Sequence, residues 1–78
     1  MSNIEKYDNA LCETFSIEKK DLVSLKYQSI HTWDSVGHLY LISTLEETFE
    51  IMIDTDDIIA LNSYEKGKEI LKKYGIEL

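Results

Sequence analysis

Ser35 has the position in this chain that suits chemistry best. It follows Asp34 and opens a run whose apolar residues recur at helical spacing, so its hydroxyl is expected in the first turn of a helix. His38 lies three residues later, and residues three apart share one side of a helix. The pattern permits two interpretations: Ser35 is a nucleophile with His38 as its base, or Ser35 is modified by another enzyme.

Self-contained catalysis would need groups that the sequence does not offer. A serine hydrolase requires a third residue to orient the histidine, together with an oxyanion site and a cleft. The glycine pattern of a nucleophile elbow is half absent, because Gly37 follows the serine but Trp33 stands two residues before it. His38 also falls on the apolar side of the predicted helix, which favours a structural role. We therefore expect that the chain is not an enzyme.

A modified serine needs no base of its own, because the modifying enzyme supplies one. The free amides and the dipole at a helix N-terminus favour a phosphate ester. Asp34 is expected to cap the same helix, since an aspartate side chain accepts hydrogen bonds from the amides of the first turn. These features make Ser35 a candidate attachment site for a phosphate ester.

Two other groups of residues could carry chemistry but favour structural roles. Cys12 is the only cysteine, which excludes an internal disulfide and a cysteine-based metal cluster. No cationic neighbour in sequence activates its thiol, so we interpret it as a small core residue. The acidic run at 54–57 lacks the glycine and the distal glutamate of an EF-hand loop. We expect no metal site there and interpret the run as a helix start.

The charge and length of the chain limit the classes of partner and the cellular location that we expect for it. Fifteen acidic residues and eight basic ones give a net charge of −7, which argues against nucleic acid and favours partners with basic patches. No lysine occurs between Tyr27 and Tyr64.

Seventy-eight residues predict one domain, 1–78. No stretch is long enough to span a membrane and no signal peptide is evident, so we expect a cytoplasmic protein that does not bind membranes.

Helices are predicted to position the serine, because the chain has no proline and only three glycines. The first helix is expected at 3–14, with Ser2 or Asn3 as its cap. An ordered connection at 16–32 leads to the second helix, which Asp34 caps. A connection of this length is unusual in a compact domain. The aliphatic residues expected to pin it are Ile17, Leu22, Val23, Leu25 and Ile30.

Two further helices complete the predicted all-α fold, which has a long first loop and a short third helix. The third helix is expected to be capped by Asp54 or Thr55 and to end near Asn62. The fourth is expected to be capped by Ser63 and stopped by Gly75. The residues predicted to face the core are Ile4, Tyr7, Leu11, Phe15, Leu41, Ile42, Leu45, Phe49, Ile58, Ile59, Leu61, Tyr64, Ile70, Leu71 and Tyr74.

The second helix has two distinct faces at about 100° per residue. His38 falls on the core face with the apolar residues given above. The opposite face holds Ser35, Val36, Leu39, Tyr40, Ser43, Glu46, Glu47 and Glu50. This face is too acidic to be core, and its first turn is too apolar to be merely solvated.

Asp34-Ser35 and the end of the second helix together resemble a known motif. The helix ends with Leu-Glu-Glu-Thr-Phe-Glu-Ile at 45–51, and an Asp-Ser pair joined to this pattern resembles the carrier motif of acyl carrier proteins. The resemblance covers roughly 34–71. Its further positions are Ile53, Asp57, Ile58, Leu61, Asn62, Ser63, Ile70 and Leu71.

The resemblance implies a cofactor, a fold and partners. In this family the serine matching Ser35 carries 4′-phosphopantetheine, which a magnesium-dependent phosphopantetheinyl transferase installs from coenzyme A. The thiol of this arm holds an acyl or aminoacyl group as a thioester and carries it from an activating ligase to a downstream transferase. The implied fold is a four-helix bundle. Partners of such carriers dock on the second helix, at positions matched here by Val36, Leu39, Tyr40, Glu46 and Glu47.

Departures from the family pattern narrow the expected pathway. Val36 stands where carriers of fatty-acid synthesis usually have leucine, and Tyr40 stands at a commonly acidic position. The Asp-Ser pair with Trp33 before it and His38 after it is more similar to the motif of discrete carriers of specialised bacterial pathways than to that of fatty-acid synthesis. We therefore expect a monomeric carrier of that kind. The alternative is a helical adaptor that keeps the fold and the acidic face but is never modified.

Overall fold

The computed structural model describes residues 2–78, which form four α-helices and one 3₁₀ turn. The helices are α1 (Asn3–Phe15), α2 (Ser35–Phe49), α3 (Thr55–Ala60) and α4 (Tyr64–Lys73), and the 3₁₀ turn is Lys19–Asp21. Within the described residues, pairing of the β type is limited to one isolated antiparallel bridge between Lys26 and Ser63. The predicted all-α class, long first connection and short third helix are confirmed.

Side-chain caps begin three of the helices at the predicted places. Ser2 forms a capping box with Glu5 at the start of α1, Asp34 caps α2, and Ser63 caps α4. Asp54 occupies the cap position of α3, but its side chain makes no capping hydrogen bond. The starts of these helices were predictable because a cap acts on residues only two or three positions away.

Backbone in the left-handed conformation ends three helices. Ser16 follows α1 with a φ of 57°, Glu50 follows α2 with a φ of 54°, and Gly75 follows α4 with a φ of 82°. The amide of the residue after each of them donates back into the last turn of its helix. The sequence predicted the stop at Gly75. It placed the end of α1 one residue early, because serine gives no strong stop signal.

The core lies between α1, α2, α4 and the long connection. Its largest fully buried side chains are Tyr7, Leu11, Phe15, Trp33, Leu41, Leu45, Leu61, Ile70 and Leu71. Gly67 allows α4 to lie close to α1, because a Cβ there would collide with the hydroxyl of Tyr7. That hydroxyl cannot easily move away, because Tyr7 is fully buried and donates a 2.7 Å hydrogen bond to the Tyr64 carbonyl.

Two residues that were expected to pack inward are exposed, one from the predicted core and one from the aliphatic residues of the long connection. Ile59 was expected to face inward with Ile58, yet its side chain is 74% exposed. In the six-residue α3, Asp57 and Ile58 face the body of the molecule, and the next residue turns about 100° away. Val23 is 82% exposed because the turn after the 3₁₀ segment directs Leu22 and Leu25 inward instead.

Among residues 2–78, every helix is too short or too polar to cross a membrane.

Candidate functional site

Ser35 is the first residue of α2, and it is exposed. The Asp34 carboxylate accepts a 2.8 Å hydrogen bond from the Gly37 amide, as the sequence predicted. Gly37 has a further role, because a Cβ at this position would collide with the carbonyl oxygen of Thr32. The absence of a side chain therefore lets the first turn of α2 lie directly against the chain that leads into it.

His38 bridges α2 to α3. Its Nδ1 accepts a 3.0 Å hydrogen bond from the indole N–H of Trp33, so Nε2 carries the ring proton. Nε2 lies 2.7 Å from the carbonyl oxygen of Ile58 and donates to it. Because both ring nitrogens are engaged, neither is left to accept a proton from Ser35. This geometry favours the structural role for His38 over the role of a catalytic base.

An aromatic cluster lies beneath the start of α2. Trp33 is fully buried and stacks on Phe15, with 4.8 Å between ring centroids. The ring of Tyr27 meets Trp33 edge-on at 6.3 Å and His38 edge-on at 5.7 Å. Thr32 adds a 3.0 Å hydrogen bond from its hydroxyl to the Phe15 carbonyl. The cluster joins the end of α1, the long connection and α2 around the candidate serine.

Tyr27 reaches Ser35 from the long connection. Their hydroxyl oxygens are 3.3 Å apart, and either hydroxyl can be the donor. Sequence reasoning missed this residue, because Tyr27 is eight positions before the serine in a segment without clear periodicity. The one local signal was its aromatic type, which does not reveal where its hydroxyl lies.

An open groove of about 400 Å³ lies beside Ser35. Its apolar walls are formed by Leu39 of α2 and by Ile58 and Ile59 of α3. Leu61 and Asn62, which follow α3 in the chain, also line it. Tyr27, Ser35 and His38 also line it. The groove can therefore receive a flexible chain that begins at the serine.

The predicted docking face is exposed in its apolar part. Val36, Leu39 and Tyr40 are 61%, 64% and 66% exposed. Glu47 is exposed as well, but Glu46 is half-buried and its carboxylate accepts a 2.9 Å hydrogen bond from the Ile53 amide. Glu46 thus ties the segment after α2 to the helix, and Glu47 is the freer of the two carboxylates.

A polar cluster that the sequence did not indicate joins α3 to the end of α4. Asp57 is only 8% exposed, and its carboxylate accepts 2.7 Å hydrogen bonds from Lys73 and from the Tyr74 hydroxyl. The Tyr74 hydroxyl in turn accepts from the Asp54 amide at 2.8 Å. The hydrogen bonds from Lys73 and Tyr74 lower the pKa of Asp57, and the Asp57 carboxylate raises the pKa of Lys73. This cluster holds in place the helix that forms one wall of the groove.

Cys12 and the acidic run at 54–57 have surroundings that favour structural roles in the described part of the chain. Cys12 is partly buried, and burial raises the pKa of its thiol, which disfavours the reactive thiolate. Within residues 2–78, the His, Cys, Asp and Glu side chains form no cluster of three or more that could hold a metal ion. Asp54 and Asp57 instead belong to the contacts between α3 and α4.

Comparison with known proteins yields no match for this chain among protein-family models, curated proteins or solved structures. The observations that bear on function are therefore the motif at 34–51 and the geometry around Ser35. That geometry brings together Ser35, Asp34, Tyr27 and the groove, while Val36, Leu39, Tyr40 and Glu47 lie exposed on α2.

Proposed function

We propose that this chain is a carrier protein whose Ser35 bears 4′-phosphopantetheine. The observation that carries the proposal is the exposed serine hydroxyl at the first residue of α2, behind an Asp34 cap and beside an apolar groove. Attachment forms a bond from Ser35 Oγ to the pantetheine-bearing phosphorus of coenzyme A. The adenine nucleotide leaves, and the transferase takes the serine proton.

The residues around Ser35 suit such an arm. Its phosphate, at the N-terminus of a 15-residue helix, benefits from the helix dipole and the free amides of the first turn. Its apolar and amide groups match a groove with aliphatic walls and the side-chain amide of Asn62. When bound, the arm supplies a terminal thiol that holds an acyl or aminoacyl group as a thioester, and Ser35 supplies only the anchor.

The partners follow from the face that α2 presents. A phosphopantetheinyl transferase, an activating ligase and a downstream transferase would each approach Ser35 over Val36, Leu39 and Tyr40, with Glu47 attracting basic patches. Three exposed apolar side chains beside the serine give such enzymes a surface to bury. The single domain would act in the cytoplasm as a monomeric carrier of the acyl-carrier fold, in a specialised pathway rather than in fatty-acid synthesis.

Co-expression with a broad-specificity phosphopantetheinyl transferase tests the proposal. Intact mass spectrometry of the purified protein should show the added mass of one phosphopantetheine group on the wild type. A folded wild-type protein that gains no mass under conditions that modify a known carrier would instead support the unmodified helical adaptor.

A further inference from the structure

Tyr27 lies outside the carrier motif, yet it meets the serine that the motif identifies. Its hydroxyl oxygen is 3.3 Å from Ser35 Oγ, which is long for two hydroxyl groups, since their oxygens prefer about 2.7–2.8 Å. The phenol therefore touches the serine only loosely in the unmodified protein. Its hydroxyl keeps the capacity to make a stronger hydrogen bond to a better acceptor.

The backbone and ring of Tyr27 are fixed independently of that contact. Its amide donates a 2.8 Å hydrogen bond to the carbonyl of Asn62, next to the bridge between Lys26 and Ser63. Its half-buried ring is held edge-on against Trp33 and His38. Little conformational entropy remains to be lost when the hydroxyl binds a ligand, so the phenol is preorganised.

Modification of Ser35 changes the chemistry of this contact. Esterification removes the hydroxyl proton of the serine, so Oγ becomes an oxygen that can only accept hydrogen bonds. The phenol of Tyr27 keeps its proton and becomes the donor. The new phosphodiester brings charged oxygens, and hydrogen bonds to charged oxygens are shorter and stronger than those between neutral groups. A loose contact between two hydroxyls is thereby replaced by a directed bond to an anion.

We propose that Tyr27 is a positioning residue that donates a hydrogen bond to the phosphodiester on Ser35. This inference rests on the proposed function, because it needs the modified serine. Tyr27 and Ser35 both line the groove, so an arm held at its phosphate by Tyr27 starts beside the groove. The proposed role concerns the attached arm and assigns Tyr27 no part in forming the bond to phosphorus.

Phosphorus NMR of the modified protein tests this role. The wild-type phosphodiester resonance should be displaced from its position in the urea-unfolded protein, because the folded protein holds the phosphate in a defined environment. Tyr27→Phe keeps the ring packing and removes only the hydroxyl, and it should abolish most of that displacement while still accepting the arm. Tyr64→Phe is the matched control, since its lost hydroxyl donates to Asp8 instead, and it should keep the wild-type displacement.

A measurement on the wild type alone removes dependence on the folding of a variant. Nuclear Overhauser contacts should join the Tyr27 ring protons to the geminal methyl groups of the arm, which lie close to its phosphate. An arm that is attached but shows no such contacts, with the same phosphorus shift in wild type and Tyr27→Phe, would overturn the role of Tyr27 and leave the carrier function standing. A wild type that gains no arm would overturn both.

Discussion

At the scale of single residues, one imidazole satisfies two polar groups at the site. The indole N–H of the fully buried Trp33 and the carbonyl of Ile58 both bond to His38, through different ring nitrogens. A buried donor that loses its acceptor keeps its full desolvation cost. The histidine beside the serine therefore stabilises the site's framework, which explains its position on the inward side of α2.

The stability that is lost when His38 is replaced should depend on which of its hydrogen bonds the new side chain can make. His38→Leu leaves the Trp33 N–H and the Ile58 carbonyl without this partner and should cost about 1–3 kcal/mol of unfolding free energy. His38→Gln keeps a donor and an acceptor and should cost less. Urea unfolding followed by the fluorescence of Trp33, the single tryptophan, measures both. The exposed His31 provides the control: His31→Leu should change stability by less than about 0.5 kcal/mol. Equal losses for both His38 variants would contradict the hydrogen-bonding role.

Glu50 is a second residue whose conformation permits a prediction. It holds a φ of 54° after α2, a region in which a side chain costs roughly 1–2 kcal/mol. Glycine has no steric cost there, but it loses more backbone entropy on folding, which offsets part of that gain. The Glu50 carboxylate also lies at the negative end of the helix dipole. Glu50→Gly should therefore raise stability by about 0.5–1 kcal/mol, as measured by thermal unfolding.

Glu50→Ala separates the two causes, because it removes the charge but keeps the Cβ. We expect it to recover only the smaller, electrostatic part of the gain. If the alanine variant were as stable as the glycine variant, the left-handed backbone would not be the source of the effect.

The residues at the site were predictable to different degrees. Ser35 and Asp34 were accessible because an N-cap and its helix are neighbours in sequence, and the structure has them where the sequence predicted. Tyr27 was not, since its contact with the serine depends on how the whole 16–32 connection folds. Ile59 was misassigned, because periodicity is a weak guide within a helix of fewer than two turns.

At the scale of elements, the short helix α3 needs contacts beyond its own backbone. Six residues are too few for a stable isolated helix, so tertiary contacts must hold it. His38 binds its Ile58 carbonyl, while Lys73 and Tyr74 bind its Asp57 carboxylate. The wall of the groove is thus attached to α2 on one side and to α4 on the other.

Asp57→Asn should destabilise the protein in a pH-dependent way. The folded-state pKa of Asp57 lies below its ordinary value of 3.8, chiefly because Lys73 and then Tyr74 donate to the carboxylate. The ionised carboxylate therefore contributes its full stabilisation above pH 3.8, and this is lost as the pH falls through the lowered pKa. The difference in unfolding free energy between wild type and Asp57→Asn should be constant near neutral pH and shrink in acid.

Asp56→Asn is the matched control for this experiment. Asp56 belongs to the same helical turn but is exposed, so its substitution should have a small effect. Urea unfolding at a series of pH values gives the unfolding free energy of each variant as a function of pH. A loss in Asp57→Asn that stayed the same down to the lowest pH would show that the carboxylate's charge does not hold α3.

Helix positions were more predictable from sequence than the contacts between helices. Capping residues and left-handed stops act over a few positions, so the starts of α1, α2 and α4 and the stop at Gly75 were accessible. The bonds from Tyr74 to Asp57 and from Tyr7 to the Tyr64 carbonyl join residues 17 and 57 positions apart. Such pairs depend on the packing of the whole chain, and no local pattern indicates them.

At the scale of the whole molecule, charge is distributed unevenly. The net charge is −7, and the part of the chain that includes α2 and α3 has no lysine. Charged surfaces of this kind steer basic partners toward them at low ionic strength. Because Glu46 accepts from the Ile53 amide, Glu47 and Glu50 are the carboxylates whose replacement tests steering without also breaking that bond.

Glu47→Lys combined with Glu50→Lys should slow modification of Ser35 by roughly tenfold at low salt. The difference from wild type should shrink as salt screens the charges. Glu69→Lys combined with Glu77→Lys changes the net charge equally outside α2 and should slow the reaction less. The prediction is tested by measuring the rate of phosphopantetheine transfer to the wild type and to both double variants at several salt concentrations. Rates insensitive to both charge and salt would mean that apolar contacts through Val36, Leu39 and Tyr40 dominate docking.

The central claim is that Ser35 is the attachment point of a phosphopantetheine arm. The most direct measurement is the intact mass of purified protein after incubation with coenzyme A, magnesium and a broad-specificity transferase. Wild type and Ser43→Ala, which removes another exposed serine of α2, should each gain one arm, and Ser35→Ala should gain none. A folded wild type that gains no mass, or a gain that persists in Ser35→Ala, would contradict the claim.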